Sequence, residues 1–238
     1  NTDWALSIQS ILENIKEVSD YSFTSCVYLE NIDLTNVETI GEAAFVKCSA
    51  LTSINVATDN TSYSSENDVL FNKDKTTLIC YPQNKAGEGY SIPENVVTIG
   101  GYAFNGCAKL KTINFPAGLK EIGVMAFYDC TALETITIPD GVTEIGSFAF
   151  YNCKSMKEIQ IAEDITSLGW HTFDSCSSLV DINFPENLET IDDYTFYNCQ
   201  SLTTISIPKN VSEIGSYAFG YCISLKTATI GDNSTSQN

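Results

Sequence analysis

Ile138-Pro139-Asp140-Gly141-Val142-Thr143-Glu144-Ile145-Gly146, followed by Ala149-Phe150, Cys153, Met156, Ile159 and Ile161, decides the fold of this chain. The same arrangement returns every 23 residues, with Phe104, Phe127, Phe150, Phe173, Phe196 and Phe219 at one position. Cys107, Cys130, Cys153, Cys176, Cys199 and Cys222 each follow three residues later. Further upstream, Phe23 and Phe45 with Cys26 and Cys48 repeat it at a spacing of 22. Eight units can be counted by their cysteines. Such a cycle builds a stack of short units that share one elongated core.

Each column has a physical reading. Ile136 and Ile138 alternate with Thr137, which is a short strand with one buried face. Pro93, Pro116, Pro139, Pro185 and Pro208 end that strand by removing a ladder donor. Gly41, Gly100, Gly123, Gly146, Gly169 and Gly215 supply a turn and are expected at positive φ. The Ala-Phe-x-x-Cys-x-x-Leu box has spacings of three, which predict a helical or 3₁₀ turn. The expected fold is therefore a solenoid. Short parallel strands form its inner face, and turns with short helical or 3₁₀ segments form its outer face.

This pattern resembles the BspA-like leucine-rich repeats of bacterial and some protist surface proteins. The proline-turn-Val-x-x-Ile-Gly run, the Ala-Phe-x-x-Cys box and the period carry the resemblance over about residues 11–230. It implies a secreted or surface-attached protein, with adhesion to host proteins or other cells proposed for some members. It implies no family-wide active site.

The repeat makes residues 1–230 a single leucine-rich-repeat domain. Residues 1–14 read as a degraded repeat or an N-terminal cap, with a capping helix over residues 3–12 as one form of it. Residues 231–238 read as a polar tail. Cys48 and Cys107 stand 36 residues further apart than one period. An insertion over residues 57–91 accounts for this. Its apolar runs Val69-Leu70-Phe71 and Leu78-Ile79-Cys80-Tyr81, separated by Asn72-Lys73-Asp74-Lys75-Thr76, predict a β-hairpin. The hairpin either projects as a recognition element or packs against the solenoid, and its apolar content favours packing.

A net charge of −18 disfavours nucleic acid and anionic membrane surfaces as partners. No apolar run approaches the length of a transmembrane helix, so no direct membrane insertion is expected. No signal peptide stands at Asn1, so an exported form would be a mature or trimmed chain. Eight of the nine cysteines share one repeat position. They read as buried thiols acting as small apolar side chains, since stacked parallel positions give poor disulfide geometry. Cys80 stands outside the repeat. No pair has metal-ligand spacing, so neither a metal nor another cofactor is expected.

No catalytic residue can be nominated. The one histidine, His171, falls in a column otherwise held by Tyr21, Ala43, Tyr102, Met125, Phe148, Tyr194 and Tyr217, where packing explains it. Asp192-Asp193 reads as a solvated turn. Two surfaces remain for binding. The outward strand column carries Asn55, Asn114, Thr137, Gln160, Asn183 and Ser206, a row of neutral hydrogen-bonding groups suited to an extended protein or a glycan. Beside the box lie Tyr102, Tyr128, Tyr151, Tyr194, Tyr197 and Tyr217, an aromatic ribbon able to grip a protein or stack on sugar rings. The expected partner is an extracellular protein or glycan, with end-to-end self-association as a further possibility. The expected function is a non-catalytic binding or adhesion scaffold at the cell surface or in the medium. The alternative is a structural spacer or assembly module of a larger surface protein.

Overall fold

A computed structural model of the chain describes residues 14–231, and the readings of a cap, a capping helix and residues 232–238 of the tail lie outside them. The chain winds as a parallel β-solenoid. Among the described residues nine short strands lie along one side, a ribbon of three successive parallel sheets: Asn31–Asp33 with Ser53–Asn55, then five strands from Gly89–Ser91 to Asp181–Asn183, then Thr204–Ile207 with Thr227–Ile230. They pair in parallel, in register by whole repeats, as in Ile136 opposite Ile159 and Ile159 opposite Ile182. A second row, or ribbon, of two-residue strands, such as Glu121–Ile122 and Glu144–Ile145, follows the turn after the first strand of a coil, a turn opened by proline in most coils. Between the ribbons lies the core. Its spine is a phenyl ladder, with Phe104, Phe127, Phe150, Phe173, Phe196 and Phe219 stacked at centroid spacings of 4.8–5.4 Å.

The box forms no helix, and none occurs among the described residues. Its backbone alternates between two kinds of bond. Ala149, Tyr151 and Cys153 donate to the carbonyls three residues back, at Gly146, Phe148 and Phe150. Phe148, Phe150 and Asn152 instead donate to Trp170, Thr172 and Asp174 of the next coil. Phe148 and Asn152 sit at φ 58° and 60°, which no right-handed helix accommodates. The spacing of three thus marks consecutive turns laddered to the next coil.

Positive φ is absent at the glycine column and falls two residues later, at Tyr102, Met125, Phe148, His171, Tyr194 and Tyr217. The glycines answer a different demand, close backbone approach. A Cβ on Gly146 would lie 2.4 Å from the Val124 nitrogen and 2.7 Å from the Gly123 carbonyl carbon. On Gly169 its nearest neighbour is the Ser147 hydroxyl at 3.4 Å. Gly146→Ala should therefore cost about 2–3 kcal/mol, while Gly169→Ala costs less than about 0.5. Urea unfolding of the two variants checks this, and equal losses would sink it.

All nine cysteines are free. Their column does more than fill space. Six of the eight column Sγ atoms donate to the box phenylalanine carbonyl of the preceding coil, among them Cys130 to Phe104 at 3.1 Å, Cys153 to Phe127 at 3.3 Å and Cys176 to Phe150 at 3.2 Å, while Cys107 donates to the Tyr81 carbonyl. That carbonyl already accepts the N–H of its own coil's cysteine, so the thiol meets its second lone pair. Burial pushes the thiols of Cys107, Cys130, Cys153 and Cys199 up, and those of Cys48 and Cys222 to about 11 each. Cys80 is partly buried and pushed up to about 12, mainly by desolvation.

The insertion holds three antiparallel strands, Tyr63–Glu66, Val69–Asn72 and Thr77–Cys80. The predicted hairpin is present, and the polar segment before it supplies the extra strand through a left-handed turn at Asn67 and Asp68. The element does not project. Strand Val69–Asn72 lies inside the stack, with Leu70 in the core of the first coils and Val69 and Phe71 in the core of the later ones. Thr77–Cys80 then joins the second ribbon beside Thr98–Ile99. Tyr81 stacks on Phe104 at 5.1 Å in the place of a box phenylalanine, and Tyr90 pairs with Ile113 in the strand ribbon. Residues 77–97 are therefore a ninth coil without its cysteine.

Asn60 locks this junction. It is buried, and its Nδ2 donates to the carbonyls of Leu34, Thr35 and Val37 at 2.9–3.3 Å. Its Oδ1 accepts the N–H groups of Ser62 and Tyr63.

Candidate functional site

The strand ribbon presents its outward column as the sequence implies. Asn55, Asn114, Thr137, Gln160, Asn183 and Ser206 are all exposed. Four of them share one five-stranded sheet, where Thr137 pairs with Gln160 and Gln160 with Asn183. Asn114 donates from Nδ2 to Ser91 Oγ at 2.9 Å. Ser206 belongs to the two-stranded sheet of Thr204–Ile207 and Thr227–Ile230. Asn55 lies across the insertion, in a separate pair with Asn31–Asp33. The six residues therefore do not form one surface.

Thr137, Gln160 and Asn183 do converge. They line a shallow trough of about 440 Å³ together with Glu158, Glu163 and Asp181. None of the three uses its side chain in a hydrogen bond among the described residues. The trough is acidic, a feature that the neutral column conceals. Glu158 and Asp181 are directly opposed in the parallel ladder. Lys157 reaches Glu134 at 3.7 Å, and among the described residues no cation pairs with those two carboxylates. The floor is the backbone of the ribbon, which rests on the buried Ile136, Ile159 and Ile182. The site is thus a rigid, regularly spaced set of donors and acceptors with a negative field.

On the turn side the tyrosines are joined into stacks. Tyr128 lies on Tyr151 at 4.6 Å. Phe148, His171, Tyr194 and Tyr217 form one column with centroid spacings of 4.5–5.2 Å. Tyr197 meets Tyr194, Tyr217 and Tyr221 edge-on. Tyr102 stands apart from these stacks, in contact with Tyr21; desolvation first, then that contact, pushes its phenol up to about 12. Stacking offsets the strain of aromatic residues at positive φ.

His171 is a member of this column, and its Nδ1 lies 2.7 Å from Asp174 Oδ2. Asp174 is buried and also accepts from Ser175 Oγ at 2.8 Å. Asp174 escaped the reading of the sequence. Its signal was there: a lone acid in the column of Tyr128, Tyr151 and Tyr197, three residues after the lone histidine. Desolvation raises the Tyr128 and Tyr151 phenols, with Asp129 and Asp174 adding to it. At the solvated turn, Asp193 Oδ1 accepts the Ser216 N–H at 2.6 Å, and burial with Asp193 and Glu213 raises the Asp192 carboxyl.

No group of three or more His, Cys, Asp or Glu side chains among the described residues is placed to hold a metal. No helix among them is long and apolar enough to cross a membrane.

A comparison with functionally curated proteins finds no match. Solved structures do resemble the chain. A leucine-rich repeat protein from Eubacterium ventriosum is 32% identical with a TM-score of 0.70, over 87% of this chain and 60% of that one. A leucine rich cell surface protein from Faecalibacterium prausnitzii is 29% identical with a TM-score of 0.67, over 94% of this chain and 53% of that one. The pneumococcal vaccine antigen PcpA, 24% identical with a TM-score of 0.58, shares the fold. The chain thus spans about 60% or less of the length of these three relatives. The BspA type leucine rich repeat region matches in six copies, over residues 5–86, 79–189 and 122–238. On that match, which takes in nearly every coil, the chain belongs to the BspA-type leucine-rich repeat family.

Proposed function

We propose that the chain is a secreted or cell-surface, non-catalytic scaffold that binds an extracellular protein or glycan through the trough on its strand ribbon. One observation carries this reading: Thr137, Gln160 and Asn183 stand exposed, one coil apart, with their polar groups unused. The fold holds them without further ordering, so a ligand meets little conformational cost there. The opposed Glu158 and Asp181 favour ligands with basic groups or many hydroxyls. The cell-surface description of the Faecalibacterium relative supports the location.

The test is a screen of extracellular matrix proteins and a glycan array, repeated with Asn183→Arg. The substitution should weaken binding at least about tenfold, while unfolding free energy stays within about 0.5 kcal/mol, since the side chain is exposed. Silence across both screens, or binding indifferent to Asn183→Arg and lost on Tyr151→Ala, overturns the trough as the site.

A second reading, an assembly module that stacks coil on coil, has one observation of its own. The last described coil exposes Ile214, Ile223 and Ile230 at 41%, 75% and 68%. Light scattering over a concentration series separates the readings, because a strict monomer at high concentration speaks against stacking.

A further inference from the structure

The turn side of the solenoid has one break in its hydrogen-bond ladder. In each regular coil three box N–H groups reach carbonyls of the next coil. Tyr21, Phe23 and Ser25 reach Glu42, Ala44 and Val46; Tyr102, Phe104 and Gly106 reach Val124, Ala126 and Tyr128. The corresponding donors of the second coil are Ala43, Phe45 and Lys47. None of their N–H groups finds an acceptor among the described residues.

The cause is a shortcut in the ninth coil. Leu78 aligns with Ile99 in the second ribbon, and Tyr81 with Phe104 in the phenyl ladder. Five residues separate Ile99 from Phe104, but only three separate Leu78 from Tyr81. The coil therefore lacks the corner that would carry the acceptors. The phenyl ladder breaks with it. Phe23 stacks on Phe45 at 5.7 Å and Tyr81 on Phe104 at 5.1 Å, with no ring contact between Phe45 and Tyr81 among the described residues.

A cleft of about 220 Å³ occupies the missing corner. Ala43 and Phe45 line one wall and Gln83 the other. Gln83 donates from Nε2 to the Gly106 carbonyl at 2.9 Å, and its Oε1 is buried without a partner. Two of the three unmet donors thus belong to residues that line the cleft, Ala43 and Phe45, together with Gln83, which carries the one unmet acceptor, and Lys47 lies just beyond it. Glu42 stands exposed at the rim without a cation to pair with among the described residues. Ala43 holds the position filled by Tyr21 and Tyr102 in the flanking coils, and those two phenols meet each other past its small side chain.

We propose that this cleft is a binding site for an extended peptide segment of a partner protein, which completes the interrupted ladder by its own main chain. Donors on alternate residues match a ligand whose carbonyls also repeat every second residue, as an extended backbone does. The ligand's N–H meets Gln83 Oε1, the acceptor that an anion would leave unsatisfied. An anion is further opposed by Glu42 and by the net charge of −18, which instead favour lysine or arginine beside the seated residues. A sugar hydroxyl would meet one donor and leave the others unanswered. This site is separate from the trough and stands or falls independently of it.

The experiment is amide NMR on the intact chain. The probe is a capped peptide with lysine at each end and Val-Thr-Val between, and free N-acetylglucosamine is the competing ligand. In the free protein the Ala43, Phe45 and Lys47 amides should exchange rapidly with solvent. At millimolar peptide they should shift and gain protection, while the Thr137, Gln160 and Asn183 amides stay in place. Ala43→Tyr restores the column residue at a backbone angle (φ 53°) close to those that Tyr21 and Tyr102 already adopt, so it should fold and close the cleft. It and Glu42→Lys should each weaken the peptide about tenfold or more. Slow exchange of the three amides in the free protein would mean that they already have acceptors, and overturns the proposal. Perturbation by the sugar and not by the peptide overturns it also, as does peptide binding that survives Ala43→Tyr.

Discussion

Asn60→Ala is expected to lower the free energy of unfolding by about 3–5 kcal/mol, because each buried polar group left without a partner costs about 1–3 kcal/mol. One side chain serves three carbonyls and two N–H groups, all at the joint between the first coils and the inserted strands. Water can reach some of these groups once the amide is gone, which holds the loss below the full sum. Asn60→Asp is the sharper comparison. It keeps the acceptor for Ser62 and Tyr63 but turns an oxygen toward Leu34, Thr35 and Val37, where only a donor fits. Asn60→Asp should therefore be worse than Asn60→Ala at neutral pH and recover part of the difference in acid, where the carboxyl regains a proton. Urea titrations followed by circular dichroism at the two pH values read this directly. A loss under about 1 kcal/mol for Asn60→Ala would show that the joint is held by packing alone.

Phe150→Ala is expected to cost about 3–5 kcal/mol, the usual range for emptying a buried aromatic site. Phe150 is fully buried and stacked on both faces, 5.2 Å from Phe127 and 5.4 Å from Phe173. The shape of the unfolding curve should change as well. Coils in a solenoid are coupled to their nearest neighbours, so a weak central coil divides the stack into two cooperating halves. A single urea transition should broaden or split. Phe150→Leu keeps most of the volume and should cost less without splitting the curve. If Phe150→Ala unfolds in one sharp step at an unchanged midpoint, the phenyl ladder is not what ties the coils together.

Much of this architecture was legible before any coordinates. The strand at Thr135–Thr137, its exposed Thr137 and its buried Ile136 follow from alternation alone. Other features were hidden for definable reasons. A spacing of three fits a helical turn as well as a pair of linked turns, and only the left-handed residues Phe148 and Asn152 distinguish them. A recurrent glycine can mean positive φ or close approach, and Gly146 is the second kind. The ninth coil escaped because Tyr81 replaces its phenylalanine and Asn84 falls where its cysteine would be. The acidity of the trough was missed because Glu158 and Asp181 sit in a different column from Gln160 and Asn183, and only the folded ladder places them side by side. Asn60 gave no signal, since a single polar residue in a polar stretch looks like any other.

The alternation of bonds in the box gives every coil two unlike sides. Phe148, Phe150 and Asn152 donate only toward the following coil, and the acceptors for Met125, Phe127 and Asp129 point only toward the preceding one. Two copies meeting by the same side would set donor against donor. Any joint between chains that copies the joint between coils must therefore be head-to-tail, without a two-fold axis. Such a contact cannot close on itself as a two-fold dimer: it leaves a free end at each step and leads to an open filament, or to a ring where the rotation between copies closes.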